Sequence, residues 1–212
     1  MVHNESLETA KNVISNFVSM FNNFENSSIK VFVFVNLFKE IERELNRFIA
    51  GRVDLTLTSI QVRNLFELYL ITKHIYDSDE GLDEWLGQMH QDTIEIQNGF
   101  IGLLRNHHKD ISELEEVKNF TDQSLNESPY VCQKKYFNMG VLAGQYGYKN
   151  EHLAMHKLCS KLIHPTSIKV NGYSALSADN NYLSILEIFG VFVCGKIEEL
   201  SYEIADSIKS GN

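Results

Sequence analysis

Only two prolines, Pro129 and Pro165, occur in 212 residues, and their placement restricts the fold more than any other feature. Proline removes an amide donor from a helix interior and clashes with the preceding turn. The stretches before, between and after these two positions are therefore free to be long helices, and their apolar spacing predicts that they are. Val13, Phe17, Met20, Phe21 and Phe24 recur at three- and four-residue steps, which predicts a helix from about Glu5 to Glu25, broken by Asn26, Ser27 and Ser28. The run Val31 to Val35 has strand propensity, but Phe34, Phe38, Ile41, Leu45 and Phe48 continue as one helical stripe, so 29–50 reads as a helix ending at Gly51.

Asp54 to Thr58 leads into a third helix, from about Ser59 to Tyr76, and Asp77 to Gly81 turns into a fourth, from about Leu82 to Asn106. On the fourth, Trp85, Met89, Ile96, Phe100 and Leu103 share a face. Residues 112–128 are acidic and weakly amphipathic, as a solvated helix before Pro129 would be. A short helix beginning at Tyr136 runs through Met139, Val141, Leu142 and Ala143 to a stop at Gly147. The stretch Glu151 to Ile163 is helical and must end at or just before His164, because the residue before a proline is turned away from the α conformation. A polar connection with an Asn171-Gly172 turn then precedes a last helix, from about Asn181 to Ile208. The expectation is an all-α fold, a single helical bundle of about six or seven helices in one domain spanning 1–212.

A formal charge of −9 excludes a broad phosphate-binding surface, which needs clustered Lys and Arg, although a small local site is compatible with it. Cys132, Cys159 and Cys194 are odd in number and widely spaced, without a C-x-x-C pair or a secretory signal ahead of them. That pattern predicts reduced thiols and a cytoplasmic protein. The apolar runs Val31 to Val35 and Ile188 to Gly195 are far short of the ~20 residues of a bilayer span, so no membrane association is expected.

Chemically capable side chains concentrate at EHLAMHKLCSKLIHPTS, residues 151–167. His164 is the main catalytic candidate: an imidazole at a helix C-terminus is tuned by the macrodipole and can exchange a proton near neutral pH. A histidine there can equally serve only to cap terminal carbonyls. Lys157 and Ser160 fall in one 60° sector pointing the same general way, suited to hold an anion and donate a hydrogen bond, or simply a solvated lysine and a packing serine. Arg63 and Glu67, at i, i+4 on a largely apolar helix, are an anion-binding arginine and a carboxylate that orients His164, or else a structural ion pair. His152, His156 and Cys159 form H-x3-H-x2-C on one face, but no fourth ligand is evident and no Glu-x-x-His occurs, so no metal or other cofactor is predicted. Gly190 to Lys196 imitates a phosphate loop, yet Ile197 replaces the required Ser or Thr inside an apolar helix. Asn4-Glu5-Ser6 has the glycosylation pattern, which matters only in a secreted chain.

Arg63, Leu65 and Glu67 on one side and Ser160, His164 and Pro165 on the other resemble an uncharacterised bacterial all-helical family with R-x-L-x-E and S-x-x-x-H-P motifs. Cys159 stands where that family usually has Leu. The family looks like a distant relative of the HEPN bundles, many of which are dimeric, metal-independent ribonucleases or nucleotide-binding toxins. Their Arg-to-His spacing is matched by Lys157 and His164, with Lys replacing Arg and Leu158 where a polar residue commonly follows. The resemblance implies a homodimer with RNA or a nucleotide as partner. In that reading His164 acts as general acid/base, Lys157 or Arg63 steadies phosphate, and Glu67 and Ser160 orient the imidazole. Lys does not reproduce the bidentate phosphate contact of Arg. The net charge and this replacement favour the other reading, a non-catalytic interaction or regulatory module in which the same residues form a buried Arg/Glu/His polar network.

Overall fold

The structure, a computed structural model, describes residues 2–24, 28–131, 137–172, 176 and 181–211. The predicted break at Asn26 and Ser27, Cys132, the predicted helix start at Tyr136 and most of the connection after Gly172 lie outside the described residues. The chain is an all-α helical bundle, as its periodicity predicts, and among the described residues there is no strand. In chain order the helices are α1 (Val2–Phe21, continued by a 3₁₀ turn at Asn22–Phe24), α2 (Ile29–Gly51), α3 (Leu55–Asp77), α4 (Asp79–Asn106), α5 (Ser112–Asn126), α6 (Met139–Gln145), α7 (Lys149–Ile163), α8 (Ser167–Asn171) and α9 (Asn181–Ser210). They group into two compact units, Met1–Lys73 with Asn138–Asn212, and His74–Phe137.

The first unit is built around α2. Ser28 starts this helix by accepting the Val31 amide at 3.1 Å, and Val31, Val33, Phe34, Val35, Leu37, Phe38, Ile41, Leu45 and Phe48 are all buried. Burial of one large apolar side chain is worth about 1.5–3 kcal/mol, which exceeds the helix penalty of a few β-branched residues, each well under about 1 kcal/mol. That is why the valine-rich start is helical. Helix α1 packs on α2 and α9, with Phe17 against Phe38 at a ring separation of 4.1 Å. Its inner face is Leu7, Ala10, Ile14, Phe17 and Phe21; Met20, predicted to lie inside, is 46% exposed. Gly190 of α9 lies against the Phe48 ring so closely that a methyl group there would overlap it. The false phosphate-loop pattern is thus anchored by a packing glycine.

Asp54 caps α3 by accepting the Leu57 amide at 2.8 Å, and the helix begins at Leu55, four residues before the predicted start at Ser59. Thr58, Ser59 and Thr72 are buried within it, and each hydroxyl donates to the carbonyl four residues back, at 2.7 Å in every case. Helix α8 was not predicted: five residues are too few to show a period, and Thr166 and Gly172 bracket it.

The second unit comprises the last turn of α3, α4, α5 and the segment to Phe137. Ser78 accepts the Gly81 amide at 3.1 Å to open α4, and a side chain at Gly81 would press on the ring and carbonyl of His74. Trp85 and Phe137 stack at 6.0 Å with rings 8° from parallel. Helix α5 buries none of its residues, in keeping with its acidic, weakly amphipathic sequence.

Candidate functional site

Helix α6 ends as predicted at Gly147, whose φ of +82° is readily adopted by glycine. The Tyr148 amide donates to Ala143 O at 2.6 Å and the Gly147 amide to Gly144 O at 3.3 Å, the paired bonds of a Schellman stop. The chain then reverses into α7. Met155, Cys159 and Leu162 are the buried residues of α7, and their spacing defines its inward face. His152 and His156 flank that face and stack ring to ring at 5.6 Å.

Opposite them on α3, Arg63 Nε donates to Glu67 Oε1 at 2.7 Å, with side chains 35% and 26% exposed. The two carry on into a cleft lined by Phe66, His152, Met155, His156 and Phe189. Its free volume is about 10 Å³, room for about one water. An aromatic wall backs it. Phe66 meets Phe189 edge-on at 5.1 Å and Tyr148 at 6.2 Å, and the Tyr69 and Tyr148 hydroxyls are 3.4 Å apart.

Burial holds the His152 imidazole below its ordinary pKa, and the His156 charge and Arg63 push the same way against Glu67. Burial likewise raises the Cys159 thiol to about 11, with Arg63 opposing and Glu67 adding to the shift. Burial and the bond to Tyr148 raise Tyr69. Burial thus disfavours the charged forms of the His152 imidazole and the Cys159 thiol beside one Arg63–Glu67 salt bridge. Among the described residues, no group of three or more His, Cys, Asp or Glu side chains is arranged to hold a metal ion.

The other predicted residues gather elsewhere. At 100° per residue Lys157 lies about 160° around α7 from Met155, and it is exposed. Ser160 is half-buried, His164 is exposed, and none of the three lines the cleft. Glu67, expected to orient His164, instead accepts from Arg63 and faces His152 and His156. His164 does end α7 as predicted, with φ −82° and ψ 157°. Its imidazole is not needed as a cap, because the last four carbonyls have other donors: the His164 amide on Ser160 O at 3.4 Å, Thr166 Oγ1 on Lys161 O at 2.6 Å, Thr56 Oγ1 on Leu162 O at 3.4 Å and Lys169 Nζ on Ile163 O at 3.1 Å. The exposed His164 ring therefore shares an outer stripe with Lys157 and Lys161. Sequence reasoning missed Phe66, Tyr148 and Phe189 as the wall of the cleft; their aromatic character was visible, but which helices would meet was not.

No family model, no curated protein and no solved structure matches the chain.

Proposed function

We propose that this protein is a non-catalytic interaction or regulatory module in which Arg63, Glu67, His152 and His156 form a polar network that fixes α3 against α7. The observation that carries this reading is the narrow cleft: Phe66, Met155 and Phe189 leave beside the ion pair a space of about 10 Å³, room for about one water and not an enclosed substrate pocket. A half-buried pair of this kind is worth more for register than for energy. Breaking it by Arg63→Ala leaves the Glu67 carboxylate against aromatic rings and should cost about 1–2 kcal/mol, between the exposed and the fully buried case. The joint replacement Arg63→Met with Glu67→Leu leaves no orphaned charge, and on this reading it retains most of the stability. If the double replacement lowers the melting temperature more than Arg63→Ala does, the network reading fails.

One observation favours a second reading, a HEPN-like metal-independent ribonuclease or phosphodiesterase. His164, Lys157 and Lys161 form an exposed basic stripe on an otherwise acidic chain, where an imidazole and two ammonium groups are accessible to a phosphodiester. Incubation with single-stranded RNA in the presence of a chelator separates the two. The module reading expects intact RNA. Cleavage that His164→Ala abolishes, with helix content unchanged, would replace it with the enzyme reading.

A further inference from the structure

Helix α4 carries an uncovered apolar seam. Met89, Ile96, Phe100 and Leu103 are 57%, 61%, 56% and 51% exposed, yet with Thr93 they follow the alternating four- and three-residue steps of a coiled-coil core. The same series begins inside the second unit with Leu82 and Leu86, which are buried. The register that packs the start of α4 thus continues onto solvent for the rest of the helix. Helix α5 does not cover it: the Gln97–Thr121 and Arg105–Glu115 bonds, at 2.8 and 2.6 Å, draw α5 to Gln97 and Arg105, which lie about 80° and 160° around α4 from the midline of the seam.

We propose that this seam is the interface of a homodimer, with α4 of one copy antiparallel to α4 of a second. Three features select a second copy as the occupant. First, the seam is complementary to itself. In an antiparallel pair Phe100 packs against Ile96 of the partner, and Leu103 fills the space over the partner's small Thr93. The Thr93 hydroxyl already donates to Met89 O at 2.9 Å, so burying it leaves no donor unpaired. At Gly99, beside the seam, an added methyl would meet nothing, which leaves room for the partner helix to approach.

Second, the charges of α4 are unevenly spread, with Asp79, Glu80, Asp83, Glu84, Asp92 and Glu95 ahead of its one basic residue, Arg105, in the last turn. Antiparallel pairing in this register sets Arg105 level with the partner's Asp92 and opposes the two macrodipoles, whereas parallel pairing would set like charges and like dipole ends together. Third, four side chains at this exposure offer roughly 400–500 Å² of apolar surface per copy, the size of the largest patch on a typical monomer, which is often functional. With the flanking stems, a pair buries about 1,000–1,200 Å², the size of a small reversible interface. The seam lies in the second unit and does not depend on the Arg63–Glu67 site.

Sedimentation equilibrium of the full chain across about 1–100 µM, the range in which an interface of this size dissociates, should give a monomer–dimer equilibrium. Ile96→Glu and Phe100→Glu should each weaken it at least ten-fold with circular dichroism unchanged, since both side chains already face water. The milder Phe100→Ser serves if a glutamate variant loses helix content. Ile188→Glu, on the 59% exposed Ile188 of α9, should leave the dimer intact. Under mild oxidation, Thr93→Cys mixed with Leu103→Cys should form a disulfide-linked pair, while neither alone exceeds the wild-type chain. A monomer throughout, a dimer insensitive to Ile96→Glu and Phe100→Glu, a dimer broken by Ile188→Glu, or self-linked single variants without mixed linkage would overturn the proposal.

Discussion

Gly190→Ala tests the packing that holds the cleft shut, because Gly190 neighbours Phe189 and sets how closely α9 approaches α2. Two effects oppose each other. In the interior of a 30-residue helix, replacing Gly by Ala gains about 1 kcal/mol of helix propensity. Against this, the new methyl would overlap the Phe48 ring. Phe48 is fully buried and has no free space to swing into, so α9 must shift outward or the ring leave its rotamer. Overpacking of this kind costs about 1–3 kcal/mol, and the severity of the overlap places it near the top of that range. The net loss is about 1–2 kcal/mol, a fall of roughly 3–6 °C in melting temperature for a chain of this length. Phe48→Leu alone opens a partial cavity and also destabilises, but combined with Gly190→Ala it should be less harmful than the two losses added, because the methyl occupies vacated space. Thermal melts of the four proteins close the cycle. A higher melting temperature for Gly190→Ala, or strict additivity with Phe48→Leu, would mean that α9 and α2 are not in tight contact at this point.

Acid should weaken the first unit through His152. Its imidazole is held below the ordinary value of 6.5 in the folded chain, chiefly by burial, so as pH falls the unfolded chain takes up this proton first. The contribution is complete above about pH 6.5 and is lost as the pH drops from there through the lower folded value. Melts across about pH 5 to 8 should show a shallower acid limb for His152→Gln than for the parent; equal limbs would remove His152 as the cause. The thiols make a separate prediction. Burial raises Cys159 to about 11 and Cys194 to about 12, so at pH 7–8 both should resist iodoacetamide in the native chain and react after denaturation, as peptide mapping by mass spectrometry will show. Native labelling at Cys159 would mean that α7 opens from α3 far more readily than its packing implies.

Helix identity was legible because apolar spacing acts within one segment. The stripe from Phe34 to Phe48 outvoted the valines ahead of it, and Ser28, Asp54 and Gly147 announced helix ends through side-chain oxygens or a positive φ. Facing was less legible, since spacing ranks the sides of a helix without saying what lies opposite. On α7 the sequence points Lys157 and Ser160 in the same general direction as His164, but the inward direction is set by Met155, Cys159 and Leu162, whose desolvation outweighs any preference of the polar groups. His152 and His156, on the flank of that apolar face, were therefore the ones carried to Arg63 and Glu67. The signal was present in the three inward residues and would have been found by asking first which side of α7 must be dry.

The same distinction separates α1 from α4. Both carry apolar residues at alternating three- and four-residue steps, and on α1 the series Leu7, Ala10, Ile14, Phe17 and Phe21 is buried throughout because α2 and α9 lie on it. Along the matching series of α4 burial stops after Leu86, and the buried His90 and Ile101 lie on another side of the helix. The following helix cannot extend it: α5 is 15 residues against 28 for α4, meets α4 through Thr121 and Glu115, and carries Lys118 and Asp122 as a 2.9 Å ion pair. A polar helix of that kind gains little by covering Phe100 and Leu103 and would have to desolvate its charges to do so. On the pairing proposed above, a second copy of α4 covers the apolar residues that no helix among the described residues covers.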